Sequence, residues 1–107
     1  MKNKLEFYYD CSSPWTYLAF EQLWRRQSDL LIDWKPILVG GIFNTINPSV
    51  YQARENPVQA KQNYAQKDLR DWSDDLGITI GSPDVFPVNS AKAMRGAIIA
   101  SEFNKIV

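Results

Sequence analysis

The residues best placed to do chemistry lie close together in the run Cys11-Ser12-Ser13-Pro14-Trp15-Thr16. Pro14 suits the first position of a helix and Ser13 its N-cap, so the Ser13 hydroxyl falls where unpaired backbone N–H groups and the helix dipole favour negative charge. A thiol bound there, whose free pKa is about 8.5, would ionise more readily and become a better nucleophile. The same hydroxyl can equally serve only as the helix cap, and the spacing leaves both readings open. The sequence contains no His, which removes His-based triads and the commonest metal ligand. Catalysis would have to use hydroxyls, amides, carboxylates, Lys or a borrowed cofactor, and no metal is expected. The single cysteine, Cys11, excludes an intrachain disulfide framework and fits a reducing compartment, hence a cytoplasmic address. Free cysteine is often buried, so Cys11 is read as a buried structural thiol.

The elements that must position Ser13 are readable on either side of it. Lys4 to Tyr9, with Leu5, Phe7, Tyr8 and Tyr9, forms a short β-type run ending at Asp10. A helix is expected from Pro14 to about Gln27, with Tyr17, Phe20, Leu23 and Trp24 toward a sheet. Leu30 to Leu38 is a second apolar run, with strand expected over Leu31–Lys35 and Pro36 marking an edge or strand end. Strand, helix and strand at this spacing predict a parallel pair with a right-handed crossover. Beyond Gly40-Gly41 the texture changes, and Asn47-Pro48 and Asn56-Pro57 act as turn and helix-start signals. Pro57 to Leu76 carries apolar residues at helical spacing and ends at Gly77, with Trp72 read as a core position. Residues 78–87 read as an irregular connection in which Phe86-Pro87 could line a pocket, and Asn89 as the cap of a last helix.

At 107 residues, 45% of them hydrophobic, the chain can hold one core. Twelve basic and twelve acidic residues are mixed along it without a cationic stripe, so nucleic acid is not an expected partner. No apolar run approaches the ~20 residues of a membrane span, and no signal-peptide h-region precedes Asp10.

The run Phe7-Tyr8-Tyr9-Asp10-Cys11-Ser12-Ser13-Pro14-Trp15-Thr16-Tyr17-Leu18-Ala19 resembles the first strand and helix of the 2-hydroxychromene-2-carboxylate isomerases and kappa-class glutathione transferases. Lys35 to Phe43 resembles their second strand and following turn, and Val85 to Arg95 a later Phe-Pro…Ala-x-Arg segment. The resemblance implies an α/β, thioredoxin-like fold of the DsbA/kappa type, with a β-α-β start over 1–39 and a helical insertion domain over 40–107. It implies glutathione as the cofactor, with Ser13 stabilising its thiolate. By the same resemblance Ser13 and Thr16 occupy the two cysteine positions of the Cys-x-x-Cys motif of disulfide oxidoreductases, which excludes dithiol chemistry at this motif. Asn47 and Lys61 are implied as further glutathione contacts, Lys61 toward the glycine carboxylate. Asn44, Tyr64 and Trp72 are implied as contacts to a small aromatic or conjugated acid substrate. Asn44 stands where known members can carry a Lys for the substrate's acidic group, a departure that bears on which acid is bound. Read from the residues alone, Lys61 is a solvated surface lysine and Tyr64 a core tyrosine.

The family's later strands, including one preceded by a cis-proline, have no counterpart here, so the sequence reads as truncated, with the helical insertion domain incomplete. Three function classes follow: glutathione-dependent isomerisation, kappa-like glutathione transfer, and an inactive fragment acting by self-association or partner binding. A two-stranded sheet is marginal alone. The strand count therefore predicts a homodimer or a helix swapped over a bare face, exposing Phe7 and Tyr9 or Leu5 and Tyr8 according to register.

Overall fold

The computed structural model describes residues 3–85 and 88–103. Strand β1 (Asn3–Tyr9) is followed by helix α1 (Pro14–Arg25) and strand β2 (Leu30–Pro36), after which come helices α2 (Val39–Thr45), α3 (Ser49–Glu55), α4 (Gln59–Leu76) and α5 (Ala91–Glu102). The chain divides into two compact units, Met1–Leu38 with Ser82–Val107, and Val39–Gly81. The sequence pattern puts everything after residue 39 in one helical part. In the structure α5 instead packs on β2 and groups with the β-α-β start.

In the first unit β1 and β2 run parallel, with Phe7 opposite Trp34 and Tyr9 opposite Pro36, as the short helical crossover requires. Period-two alternation sends Phe7 and Tyr9 to one face. There Trp34 meets both rings edge-on, at centroid separations of 5.6 Å and 6.4 Å. From α1, Phe20 and Trp24, stacked four residues apart, close on the same indole at 5.3 Å and 6.3 Å. Trp34 is therefore the hub that fixes the crossover helix to the sheet. Tyr17, expected on this face, is half exposed, and Leu18 is buried instead.

Tyr8 takes the other side of β1 with Glu6, whose carboxylate accepts its hydroxyl at 2.8 Å. That hydrogen bond and the Glu6 charge push the Tyr8 phenol up. Tyr8 is the more exposed, so the pairing of Leu5 with Tyr8 on one face is corrected: Leu5 shares the side of Phe7 and Tyr9. Pro36 ends β2, where its missing N–H costs no ladder bond.

In the second unit, α2 and α3 occupy the stretch that the sequence presented as turns. Gly40 and Gly41 lie inside α2, despite the usual cost of helical glycine. Both Asn-Pro pairs do act as breaks. Pro48 caps α3, Ser49 and Asn47 are joined by a side-chain hydrogen bond, and Pro57 separates α3 from α4. Helix α4 ends where expected: Gly77 adopts φ 67° and its N–H bonds back to the last turn. Just after it, Ile78 is buried and its N–H reaches the Ser73 carbonyl at 2.9 Å. From Ile78 to Val85 the chain is irregular, as expected, while Phe86 and Pro87 lie outside the described residues.

Candidate functional site

The loop between β1 and α1 is built almost entirely from backbone N–H groups with identified acceptors. Ser13 holds an extended backbone (φ −95°, ψ 124°) and caps α1, its Oγ accepting from Thr16 N–H at 3.3 Å. Tyr17 N–H bonds the Ser13 carbonyl at 3.2 Å. Ser13 N–H reaches the Asp10 carbonyl at 3.2 Å, and Ser12 N–H the Asp10 carboxylate at 3.0 Å. Cys11 N–H donates to Met94 Sδ, on α5, at 3.4 Å. Pro14 has no N–H to place. Among the described residues, Trp15 N–H is then the one backbone donor of residues 11–17 without an acceptor, and it belongs to the first turn of α1.

These hydrogen bonds decide what Ser13 can do. A hydroxyl has one donor hydrogen and two acceptor lone pairs. Capping uses a lone pair, so the hydrogen remains for an anion, and capping and thiolate stabilisation are compatible uses of one side chain. The Trp15 N–H and the positive end of α1 add to the same preference. The Ser13 side chain is part-exposed, so a ligand atom can reach it.

Cys11 corrects the expectation of a buried thiol: it is exposed. The turn leading out of β1 points it outward, and Met94 fills the interior beside it, only 1% exposed and bonded to the Cys11 backbone. Tyr9, just before the turn, has its phenol pushed up by burial and then by the nearby Cys11.

The other site residues drawn from the sequence lie in the second unit, apart in sequence from Ser13. Asn44 is near the end of α2 and Asn47 in the turn before α3, both exposed. Lys61, Tyr64 and Trp72 lie on α4, where spacings of three and eight residues put them within one broad face. Tyr64 is 69% exposed and Trp72 49%, so the readings of both as core positions are corrected. The buried member of α4 is Ser73, small enough to pack closely, with its hydroxyl bonded to the Arg70 carbonyl. Asp10 and Met94 were not singled out from the sequence. The Asp-x-Ser spacing of a side-chain-capped turn was a usable signal for Asp10; for Met94, 83 residues away from Cys11, no local signal exists.

Residues 4–106 match the DSBA-like thioredoxin domain. The chain belongs to that family. The parallel β-α-β start and the helices after it are those of a thioredoxin-like α/β fold. Searches of curated proteins and of solved structures found no match. Among the described residues of this DSBA-like domain no three His, Cys, Asp or Glu side chains gather as a metal site, and no helix is long and apolar enough to cross a membrane.

Proposed function

We propose that this DSBA-like domain is a glutathione-dependent isomerase of the 2-hydroxychromene-2-carboxylate type, with Ser13 stabilising the thiolate. One observation carries the reading: at the helix end where this fold presents its reactive group, the side chain is a capping hydroxyl whose hydrogen remains available. Bound glutathione would supply a thiol that adds reversibly to a conjugated substrate, allows bond rotation and departs. Ser13 would donate a hydrogen bond from its hydroxyl to the sulfur while keeping its proton, and Trp15 N–H with the α1 dipole would favour the same negative charge. Thr16, at the second position of the motif, has no thiol, so a dithiol cycle is not open to this pair of residues.

Lys61 is proposed for a glutathione carboxylate, with Asn47 as a further polar contact. Asn44, Tyr64 and Trp72 are proposed for the substrate, a small aromatic or conjugated acid, which the two exposed aromatic rings could stack against. A reducing, glutathione-rich cytoplasm is the proposed setting. A homodimer is proposed from the short two-stranded sheet, and sedimentation at micromolar concentration tests it, a monomer contradicting it.

The activity test is isomerisation of 2-hydroxychromene-2-carboxylate with and without glutathione. Turnover should require glutathione and fall by about a hundredfold in Ser13→Ala, the scale of losing one donor to a developing anion. Turnover unchanged by Ser13→Ala would refute the assignment. Conjugate formation without isomerisation would favour a kappa-like transferase, and no turnover would favour a binding or self-associating role.

A further inference from the structure

We propose that Asp10 and Met94 form a buried clamp that positions Ser13, a role that rests on the reading of Ser13 given above. Among the described residues these are the two largest side chains that are fully buried, at 2% and 1% exposure. Both are bonded to the backbone of one short loop. The Asp10 carboxylate takes Ser12 N–H at 3.0 Å, its own carbonyl takes Ser13 N–H at 3.2 Å, and Met94 Sδ takes Cys11 N–H at 3.4 Å. Three consecutive N–H groups, the last of them the cap's own, are thus held by Asp10 and Met94.

A buried carboxylate is costly unless hydrogen-bonded, and a buried N–H is costly without an acceptor. This bond between the Ser12 N–H and the Asp10 carboxylate meets part of both needs, and it lasts only while the turn keeps its shape. That shape carries the chain from β1 into Ser13 with the extended backbone a cap needs. The thioether is a weak acceptor, so Met94 contributes less through its hydrogen bond than Asp10, and more by filling the space beneath the loop. Neither side chain reaches the atoms that would react. They are positioning residues, acting through Ser13.

The Thr16 amide, which donates to Ser13 Oγ, reports the position of the cap without any ligand. Its hydrogen exchange is measured relative to the Phe20 and Leu23 amides of the same helix, so that a general loss of stability cancels. Asp10→Ala should speed Thr16 exchange selectively by about fivefold, the worth of one hydrogen bond, and match Ser13→Ala. Asp10→Asn, which keeps the acceptor oxygen, should restore it. Met94→Leu, nearly volume-conserving, should speed it by about twofold. With glutathione present, the thiolate absorbance lost in Asp10→Ala should equal that lost in Ser13→Ala, and the double variant should lose no more, because both changes remove one interaction.

Thr16 exchange unchanged in Asp10→Ala, or quickened equally along α1, would overturn the clamp. Should Asp10→Ala not fold, selective quickening in Asp10→Asn with none in Met94→Leu would overturn it as well. If Ser13→Ala leaves the glutathione thiolate unaffected, the isomerase reading fails by itself. The amide exchange then still decides whether Asp10 and Met94 hold the loop.

Discussion

The two compact units of this domain each contain tryptophan, and they use it differently. In the first, Trp34 is met by Phe7, Tyr9, Phe20 and Trp24, drawn from β1 and α1. In the second, Trp72 stands half exposed on α4 beside Asp71, which pairs with Lys67 one turn earlier. One ring joins elements distant in sequence, and the other decorates a helix whose described hydrogen bonds are local. Rigid placement of a side chain needs the first arrangement, and Ser13 lies in that unit.

Replacing each tryptophan by alanine breaks the comparison most directly. Trp34→Ala should cost about 2–3 kcal/mol of unfolding free energy, below the range for a fully buried aromatic because Trp34 is only half-buried, measured by urea denaturation. Trp72→Ala should stay within about 0.5 kcal/mol, as substitutions at exposed positions do. Equal losses would remove the distinction between the units. Next in size, Gly77→Ala should cost about 1 kcal/mol, because a Cβ at φ 67° is strained even though open space surrounds it. Thermal melting and exchange of the last α4 amides would register it.

Ser13→Ala should cost a similar ~1 kcal/mol through the lost cap, and Ser13→Gly only a few tenths. This separates the cap from the thiolate role, since glycine retains most of the stability but supplies no hydroxyl.

The smallest expected effect is the alkaline limb of stability. Burial raises the Tyr9 phenol above its ordinary value, so the folded state holds this proton more tightly than the unfolded chain. The contribution is complete below the unfolded pKa of about 10 and is lost as pH rises through the folded value. Tyr9→Phe should flatten that part of the stability profile. A steeper alkaline loss in the variant would contradict the sign.

The β-α-β start was legible because its signals are local and agree: an aromatic strand, a Ser-Pro cap, an apolar face and a second strand ended by Pro36. The boundaries moved by a residue or two, with α1 ending at Arg25. Helix α4 was legible through its periodicity and Gly77. By contrast α2 and α3 were hidden, because Gly40-Gly41 and Asn47-Pro48 carry turn chemistry and each helix is only seven residues long. Among the site residues, Ser13 could be placed from its neighbours alone. Exposure of Trp72 and Cys11 depends on what lies opposite them, and the contact from Met94 to the Cys11 backbone is long-range; no window of sequence contains either.

The proposed role of Ser13 is to make the glutathione sulfur a thiolate near neutral pH. Ultraviolet titration of bound glutathione, comparing the unaltered chain with Ser13→Ala, tests it most directly. The thiol should ionise well below its free value of about 8.5 to 9 in the unaltered chain and return toward that value in the variant. Coincident titration curves, with glutathione bound to both proteins, would contradict it.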